Sequence, residues 1–404
     1  MDSSIFERTR DHFNAGLQQL QGGQLQQAEA SFAQALALLP DRPSTLTNLG
    51  AVRLQLSRPA EAAPLLEQAV RAEPDNFEAW GHLGLARARL GQDAAALATI
   101  EHALLLQPAH AGLRLEAAAA CGRLGRPEAA LAHVQQLLAQ QPRHAAAWTL
   151  RGSLLRDLGR PADAAAAFEQ ALACGGDAGL NRFLLAGVGG AGAAPQRAPD
   201  AYVRGLFDGY AGDFDQHLLQ VLHYRAHEHV AALLRRTGRR FDAVLDLGCG
   251  TGLLAPLLVP LLAAAGGRID GVDLSPPMIE HARARGLYAQ LEAADLVAYL
   301  QATPQRWDAV AAADVFIYVG ALDAVFAGVA RVLAPGGWFA FSVEPADDAH
   351  AVVLQPSLRY AHGEPALRAL AARHGFEVRA VETGAIREEQ RRPIEGLYWL
   401  LQRR

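Results

Sequence analysis

Lysine is absent from this 404-residue sequence: all 37 basic side chains are arginines, set against 42 Asp and Glu for a net charge of −5. A Schiff-base lysine and the phosphate-gripping lysine of a P-loop are therefore excluded. Charge of one sign is scarce in either half, since residues 1–200 carry 19 acids and 17 arginines and residues 201–404 carry 23 and 20. Bulk nucleic acid and anionic membranes find no electrostatic footprint, so neither is expected as a partner. Cysteine is nearly missing too. Cys121, Cys174 and Cys249 are unpatterned and far apart, so no disulfide framework, zinc cage or other metal site is expected. Residues 253–267 are the most apolar stretch, yet they are too short to span a bilayer and contain Pro256 and Pro260. The opening MDSSIFERTRDHF has acids and lacks the apolar core of a secretory signal. A reducing compartment, most simply the cytoplasm, is the expected location. What is present is a 51% hydrophobic, 20% charged composition; it suits folded bodies, and the length predicts two or three domains.

The first half is periodic. Gly16, Gly50, Gly84 and Gly152 share a 34-residue register, with Ala118 in the fourth place. Seven residues on stand Gly23, Ser57, Gly91, Gly125 and Gly159, and twelve on stand Ala28, Ala62, Ala96, Ala130 and Ala164. Sixteen on come Phe32, Leu66, Ile100, Val134 and Phe168, and twenty-four on come Pro40, Pro74, Pro108 and Pro142. Small residues at the first glycine and the alanine let two antiparallel helices approach, and the large apolar position is expected to fill the space between repeats. The second glycine supplies the turn and the proline stops the second helix. The pattern resembles five tetratricopeptide repeats covering about residues 9–178. Such a resemblance implies a superhelix whose groove takes a protein or peptide ligand. Arg89, Arg123 and Arg156 are expected to face it, either gripping an acidic or carboxylate-ended peptide or standing there as ordinary solvated side chains.

From Gly179 the period is lost. Residues 179–187 are expected to cap the array, and the Gly/Ala/Pro-rich residues 188–199 to link it to the rest. Strands and helices then alternate: strands near 241–247, 268–274, 289–293, 308–317, 338–344, 376–386 and 396–402, with helices at 253–265, from Ser275, 297–301, 321–333 and 365–374. That alternation predicts a doubly wound, mostly parallel sheet with its chemistry at the strand C-terminal ends.

The first strand runs into a glycine loop, DLGCGTG, with Gly248, Gly250 and Gly252. This is GxGxG, neither the dinucleotide GxGxxG nor a P-loop. Asp246 beside the turn disfavours a pyrophosphate and favours a cationic amino group. Asp273 ends the second strand, placed to accept two ribose hydroxyls, and Asp295 ends the third, placed to accept from an exocyclic amine.

Together DLGCGTG, GVDLSPPMIEHAR, the strand-three AAD and VLAPGGWFAFSVE resemble class I S-adenosylmethionine-dependent methyltransferases over about residues 201–404. Joined to the array, the chain resembles bacterial methyltransferases carrying tetratricopeptide repeats. The implied architecture has two domains: an all-α superhelix over 1–178, a capping helix and linker over 179–200, and an α/β Rossmann-like seven-stranded fold over 201–404 whose last strand, GLYWLLQRR, runs antiparallel. The implied cofactor is S-adenosylmethionine. Asp246, Gly248 and Gly250 would line its methionine moiety, Asp273 its ribose, Leu274 and Met278 its adenine, and Asp295 with the Leu296 N–H the adenine amine. Ala312 and Asp314 would close the methionine end. The segment from Ala201 to Val230 would fold over the site, with Tyr210 nearest the sulfonium; Tyr202, Phe207 and Phe214 complete its aromatic set. His223 and His227 are four apart on a helix, but nothing completes a metal set, so surface histidines are expected. A proton acceptor is useful for an oxygen or nitrogen nucleophile, and Glu344 and Tyr318 are the catalytic candidates. The expected function is methyl transfer to an O or N nucleophile on a substrate recruited by the array. The alternatives are a small-molecule methyltransferase whose array serves homo-oligomerisation, and an adaptor in which the second domain only senses the cofactor.

Overall fold

The computed structural model describes residues 3–190, 194–208, 214–264, 266–347, 350–389 and 392–404. The chain forms two compact units, Met1–Asp177 and Ala178–Arg404.

Ten helices build the first unit as five hairpins, from Ser3–Gln21 with Leu25–Leu38 to Ala145–Asp157 with Pro161–Ala173. The repeated alanines are fully buried. The large apolar position packs against the glycine of its own hairpin, where a Cβ on Gly16, Gly50, Gly84 or Gly152 would lie within 2.4–2.7 Å of Phe32, Leu66, Ile100 or Phe168. It also joins residues of the next repeat, Phe32 with Leu49 and Val52 and Leu66 with Ala79 and Leu83. Ala118 is tolerated in that place because its counterpart is the smaller Val134. Gly23, Gly91, Gly125 and Gly159 turn in the left-handed region, and Ser57 does so too, at φ 59°. Trp80 and Trp148 each donate from the indole nitrogen, at 2.8 Å, to the carbonyl of the proline six residues earlier. Arg114 does the same for Pro108. The three arginines expected in a ligand groove have partners in the array: Arg89 donates to the Leu54 carbonyl, Arg123 pairs with Asp93 at 2.7 Å, and Arg156 with Asp157 at 2.7 Å.

In the second unit the strands are β1 Ala243–Leu247, β2 Arg268–Asp273, β3 Gln290–Ala293, β4 Trp307–Ala312, β5 Leu333–Pro345, β6 Val352–Leu354, β7 Tyr360–His362, β8 Phe376–Glu389 and β9 Arg392–Arg403. Seven run in the order β3-β2-β1-β4-β5-β9-β8; β9 pairs antiparallel with both β5 and β8, and the other pairings in this row are parallel. The β6–β7 hairpin, without a strand signal in the sequence, attaches to the end of β5. Successive residues of β1 feed opposite cores: Leu245 and Leu247 pack with helices Leu296–Ala302 and Asp323–Val332, and Val244 with helix Ala226–Arg236.

Three departures from expectation have local causes. The fourth strand stops at Ala312, because Asp314 turns left-handed (φ 58°) and Phe316–Tyr318 form a 3-10 turn. The helix expected over 253–265 shrinks to Ala255–Leu258 and a 3-10 turn Val259–Leu261, interrupted by Pro260. The segment expected to cap the array is a helix, Ala178–Gly187, whose Phe183 packs within the second unit on Tyr202 and Tyr360.

Candidate functional site

A cavity of about 540 Å³ opens at the C-terminal ends of β1, β2 and β4. β1 delivers Asp246, which is buried and accepts from the Tyr288 hydroxyl at 2.6 Å. Burial pushes its carboxyl up to about 7, the Tyr288 hydrogen bond opposing and the Asp273 charge adding to the rise. The loop beyond is shaped by its glycines. Gly248 (φ 74°) is pressed against Val315, where a Cβ would lie 2.5 Å away, and Gly250 (φ 53°) faces open space in the cavity wall. Side chains at those positions would strain the loop or fill the hollow.

β2 delivers Asp273, whose Oδ2 accepts from the Gly250 N–H at 2.8 Å and whose Oδ1 accepts from the Ser275 N–H at 2.9 Å. Burial raises its carboxyl, and those N–H groups pull the other way. Ser275 caps helix Pro276–Ala284 at the Met278 N–H, so Asp273 is free of that duty. Leu274, Met278 and Leu296 share the wall. Asp295 is placed differently. Its Oδ1 caps helix Leu296–Ala302 through the Ala298 N–H at 2.9 Å, and its Oδ2 meets Arg197 at 2.5 Å. The sequence pattern places Asp295 at a strand tip but does not show that it also caps the helix that follows.

The segment before β1 covers the strand tips. Asp208 accepts from the Ser275 hydroxyl at 2.6 Å, Asp215 engages Thr251 and Arg285, and Tyr224 donates to the Ala313 carbonyl at 3.2 Å. Tyr202, Phe207 and Phe214 line the cavity; Tyr210 lies outside the described residues. His227 is no surface residue: it lines the cavity, 8% exposed, stacked on Tyr224 with ring centroids 5.1 Å apart. Burial lowers its pKa.

At the inner end stands a charged cluster that short motifs did not signal. Arg387, 2% exposed, donates Nη1 to Asp314 (2.9 Å), Nη2 to Glu344 and Nε to Glu389 (2.8 Å), and Arg359 also reaches Glu389. Asp314 and Arg387 line the cavity. Burial raises the Asp314 carboxyl to about 6, although Arg387 opposes this. Three expectations need correction. Ala312 points into the core, and its neighbour Ala313 lines the cavity instead. Glu344 is absent from the cavity wall, being a buried counter-charge of Arg387. Tyr318 does line it, edge-on to Phe207, but burial pushes its phenol up to about 12, so it stays protonated near neutrality.

Residues 244–337 match the family model described as Methyltransferase domain, and residues 47–112 and 115–179 match that of the Tetratricopeptide repeat. The second unit carries a methyltransferase domain, and the first is a tetratricopeptide array. The ubiquinone biosynthesis O-methyltransferase of Thiobacillus denitrificans is 34% identical over 103 residues, 24% of this chain and 43% of that protein. The malonyl-[acyl-carrier protein] O-methyltransferase of Geobacter sulfurreducens is 34% identical over 144 residues, 35% of this chain and 52% of that protein. The chain thus spans about half the length of the curated relatives it matches. A crystal structure of magnesium protoporphyrin IX methyltransferase from Synechocystis with bound S-adenosylhomocysteine is 22% identical, covering 51% of this chain and 99% of that one at a TM-score of 0.39.

The cofactor of methyltransferase domains, S-adenosylmethionine, finds a matching donor set. Among the described residues no cation pairs with Asp246 or Asp273, whose partners are a phenol and two backbone N–H groups. Uncompensated carboxylates at a cavity wall are costly alone and suit a ligand that brings an ammonium and two hydroxyls. Asp246 with the Gly248–Gly250 loop would hold the methionine end, Asp273 the ribose, and Leu274 and Met278 the adenine.

Proposed function

We propose that this chain is an S-adenosylmethionine-dependent O-methyltransferase whose acceptor enters beside Asp314 and whose array recruits a protein, peptide or carrier-bound substrate. The observation that carries the enzymatic part is the pair Asp246 and Asp273, held at adjacent strand tips around a side-chain-free loop without a cation among the described residues. Oxygen as the acceptor atom follows the two O-methyltransferase relatives. When bound, the cofactor supplies an electrophilic methyl carbon on a cationic sulfur. The protein's own part is alignment and exclusion of water: Phe207, Phe214 and Tyr318 wall the cavity, and the strand-tip acids fix the ligand's orientation.

Calorimetric titration with S-adenosylhomocysteine tests this reading. Saturable binding is expected, and no heat with no thermal shift would sink it. The recruiting role is supported by the repeats themselves, while the internal pairing of Arg89, Arg123 and Arg156 favours a second reading, a small-molecule acceptor with the array used for self-association. Removing residues 1–177 separates them: recruitment predicts that transfer to the native acceptor collapses, self-association that the rate persists while the oligomer is lost.

A further inference from the structure

We infer that the methyl acceptor is a neutral hydroxyl whose proton passes to Asp314, and that carboxylate acceptors are excluded. This rests on the methyl-transfer reading above and specifies its substrate class. Asp314 lies two residues beyond β4, in the cavity wall, and its φ of 58° is a conformation that non-glycine residues adopt at a cost. Two contacts hold it there: its N–H donates to the Ser342 hydroxyl at 2.8 Å, and Arg387 Nη1 reaches its oxygens at 2.9 and 3.2 Å. One guanidinium nitrogen shared between two carboxylate oxygens leaves lone pairs on both for an incoming O–H.

The surrounding charges decide the acceptor's class. Asp314, Glu344 and Glu389 face Arg387 and Arg359, three acids against two cations, and both guanidiniums are already engaged. Arg197 and Arg204 also line the wall, on the side of helix Asp200–Phe207: Arg197 is held by Asp200 and Asp295, and Arg204 is exposed. Among the described residues the cations at the inner end, Arg387 and Arg359, are already engaged, so a carboxylate acceptor would meet Asp314 as a like charge, whereas a hydroxyl would bring it a further donor. A carboxylate also needs no base; a neutral hydroxyl does. The nearby wall residues Leu218, Leu222 and Tyr224 are apolar or uncharged, as a neutral acceptor requires.

The step balances as follows: the O–H bond breaks and its proton joins an Asp314 oxygen. The acceptor's electron pair then forms the bond to the methyl carbon, the C–S pair passes to sulfur, and Asp314 later releases its proton to water. The groups facing Asp314 are Arg387 from β8, Glu344 from β5, Arg359 before β7, Tyr224, Tyr318, and Tyr398 from β9. All three phenols are raised by burial and stay protonated, so among these groups Asp314 is the proton acceptor. His227, neutral and stacked on Tyr224, is the rival.

The test uses the full chain, tritiated-methyl S-adenosylmethionine and extract from a strain lacking this protein. An ether product keeps its label in alkali, while a methyl ester releases it as methanol. Alkali-stable label is expected, and label volatile in alkali would overturn the inference. Asp314→Asn should lower transfer about 100-fold or more while S-adenosylhomocysteine affinity stays within about threefold. Asp314→Glu, which keeps the charge for Arg387, should retain part of the activity. Transfer by Asp314→Asn at near wild-type rate would also overturn it and give the role to His227. A readout independent of any acceptor is the ¹³C carboxyl resonance of Asp314 in the ligand-free protein. Titration near pH 6 is expected, and an ordinary aspartate titration below about 4 would refute the assignment even where the extract yields no label. Failure of S-adenosylhomocysteine to bind the wild type would instead remove the methyl-transfer reading itself.

Discussion

The repeat array and the cavity treat their polar groups in opposite ways. In the array, Arg53 and Arg58 share Glu29, Arg87 joins Glu67 and Thr99, and Trp80 and Trp148 cap proline carbonyls, so the polar groups close on one another. In the cavity, Asp246 and Asp273 sit against neutral donors alone, and burial raises both carboxyls. Both arrangements are dense and built on small residues, but only the second is short of a counter-charge. A carboxylate that is costly in the folded chain and cheap once a cation arrives marks a ligand site, whereas the arginine-paired acids of the array stabilise its surface. The two regions should therefore respond to substitution in opposite senses.

The largest expected effect is in the array. Gly84→Val places a Cβ 2.4 Å from Ile100 Cγ1 at the tightest point of a helical hairpin. Overpacking there should destabilise the first unit by about 3 kcal/mol, read from its urea transition, with S-adenosylhomocysteine affinity unchanged. An unaltered midpoint would mean that the hairpins can spread apart. Next comes the opposite case. Asp273→Ala should weaken S-adenosylhomocysteine by about 10- to 100-fold, the loss of charge-assisted hydrogen bonds worth about 1.5–3 kcal/mol, while the melting temperature holds or rises. A fall of several degrees in that variant would return Asp273 to the structural class.

Periodic features were legible because they act through shape. The 34-residue register and the turn glycines are properties of spacing, readable without partners, while the antiparallel last strand is implied by the family resemblance. That the large residue sits on its own hairpin's glycine is seen only in the structure. The strand-tip acids Asp246 and Asp273 were legible because a motif fixes their place at the end of a strand. What escaped reading depends on residues distant in sequence. Arg387 meets Asp314, 73 positions earlier, and Glu344, 43 earlier, and no local pattern signals that three acids surround one guanidinium. For that reason the sequence offers Glu344 as a catalytic candidate and hides its partner Arg387, and it offers His227 as a surface residue because its stacking on Tyr224 under the covering segment has no period. Ala312 against Ala313 was a one-residue error at a strand end, where a left-handed Asp314 shifts which side chain faces the cavity.

A smaller effect concerns protons. The Asp246 carboxyl rises from an ordinary 3.8 to about 7 in the folded chain. Folding therefore retains a proton that the unfolded chain has lost: stability of the second unit should decline as pH climbs from about 4 to 7 and level off above. A ligand ammonium reverses the preference, so binding S-adenosylhomocysteine at pH 6 should release up to about one proton, measured by calorimetry in buffers of different ionisation enthalpy. Asp246→Asn should abolish its share of the release. Proton uptake in the wild type would show that the ammonium does not dock beside this carboxylate.

Asp295 gives the smallest effect and the sharpest division between the two classes. It stands at a strand tip, as Asp246 and Asp273 do, yet one oxygen caps a helix and the other holds Arg197, in the manner of the array's acids. The Arg197 side chain is 45% exposed, and such a pair contributes about 0–1 kcal/mol. If the adenine amine needs Oδ2, Arg197 competes with it. Arg197→Gln should then tighten S-adenosylhomocysteine by up to about fivefold, and added salt should mimic the change in the wild type and leave the variant unaffected. Unchanged affinity in Arg197→Gln would place Asp295 among the structural acids, leaving adenine to Leu274, Met278 and the Leu296 N–H. Weaker binding would make Arg197 part of the adenine wall, its charge held in place by Asp295 for the ligand's benefit.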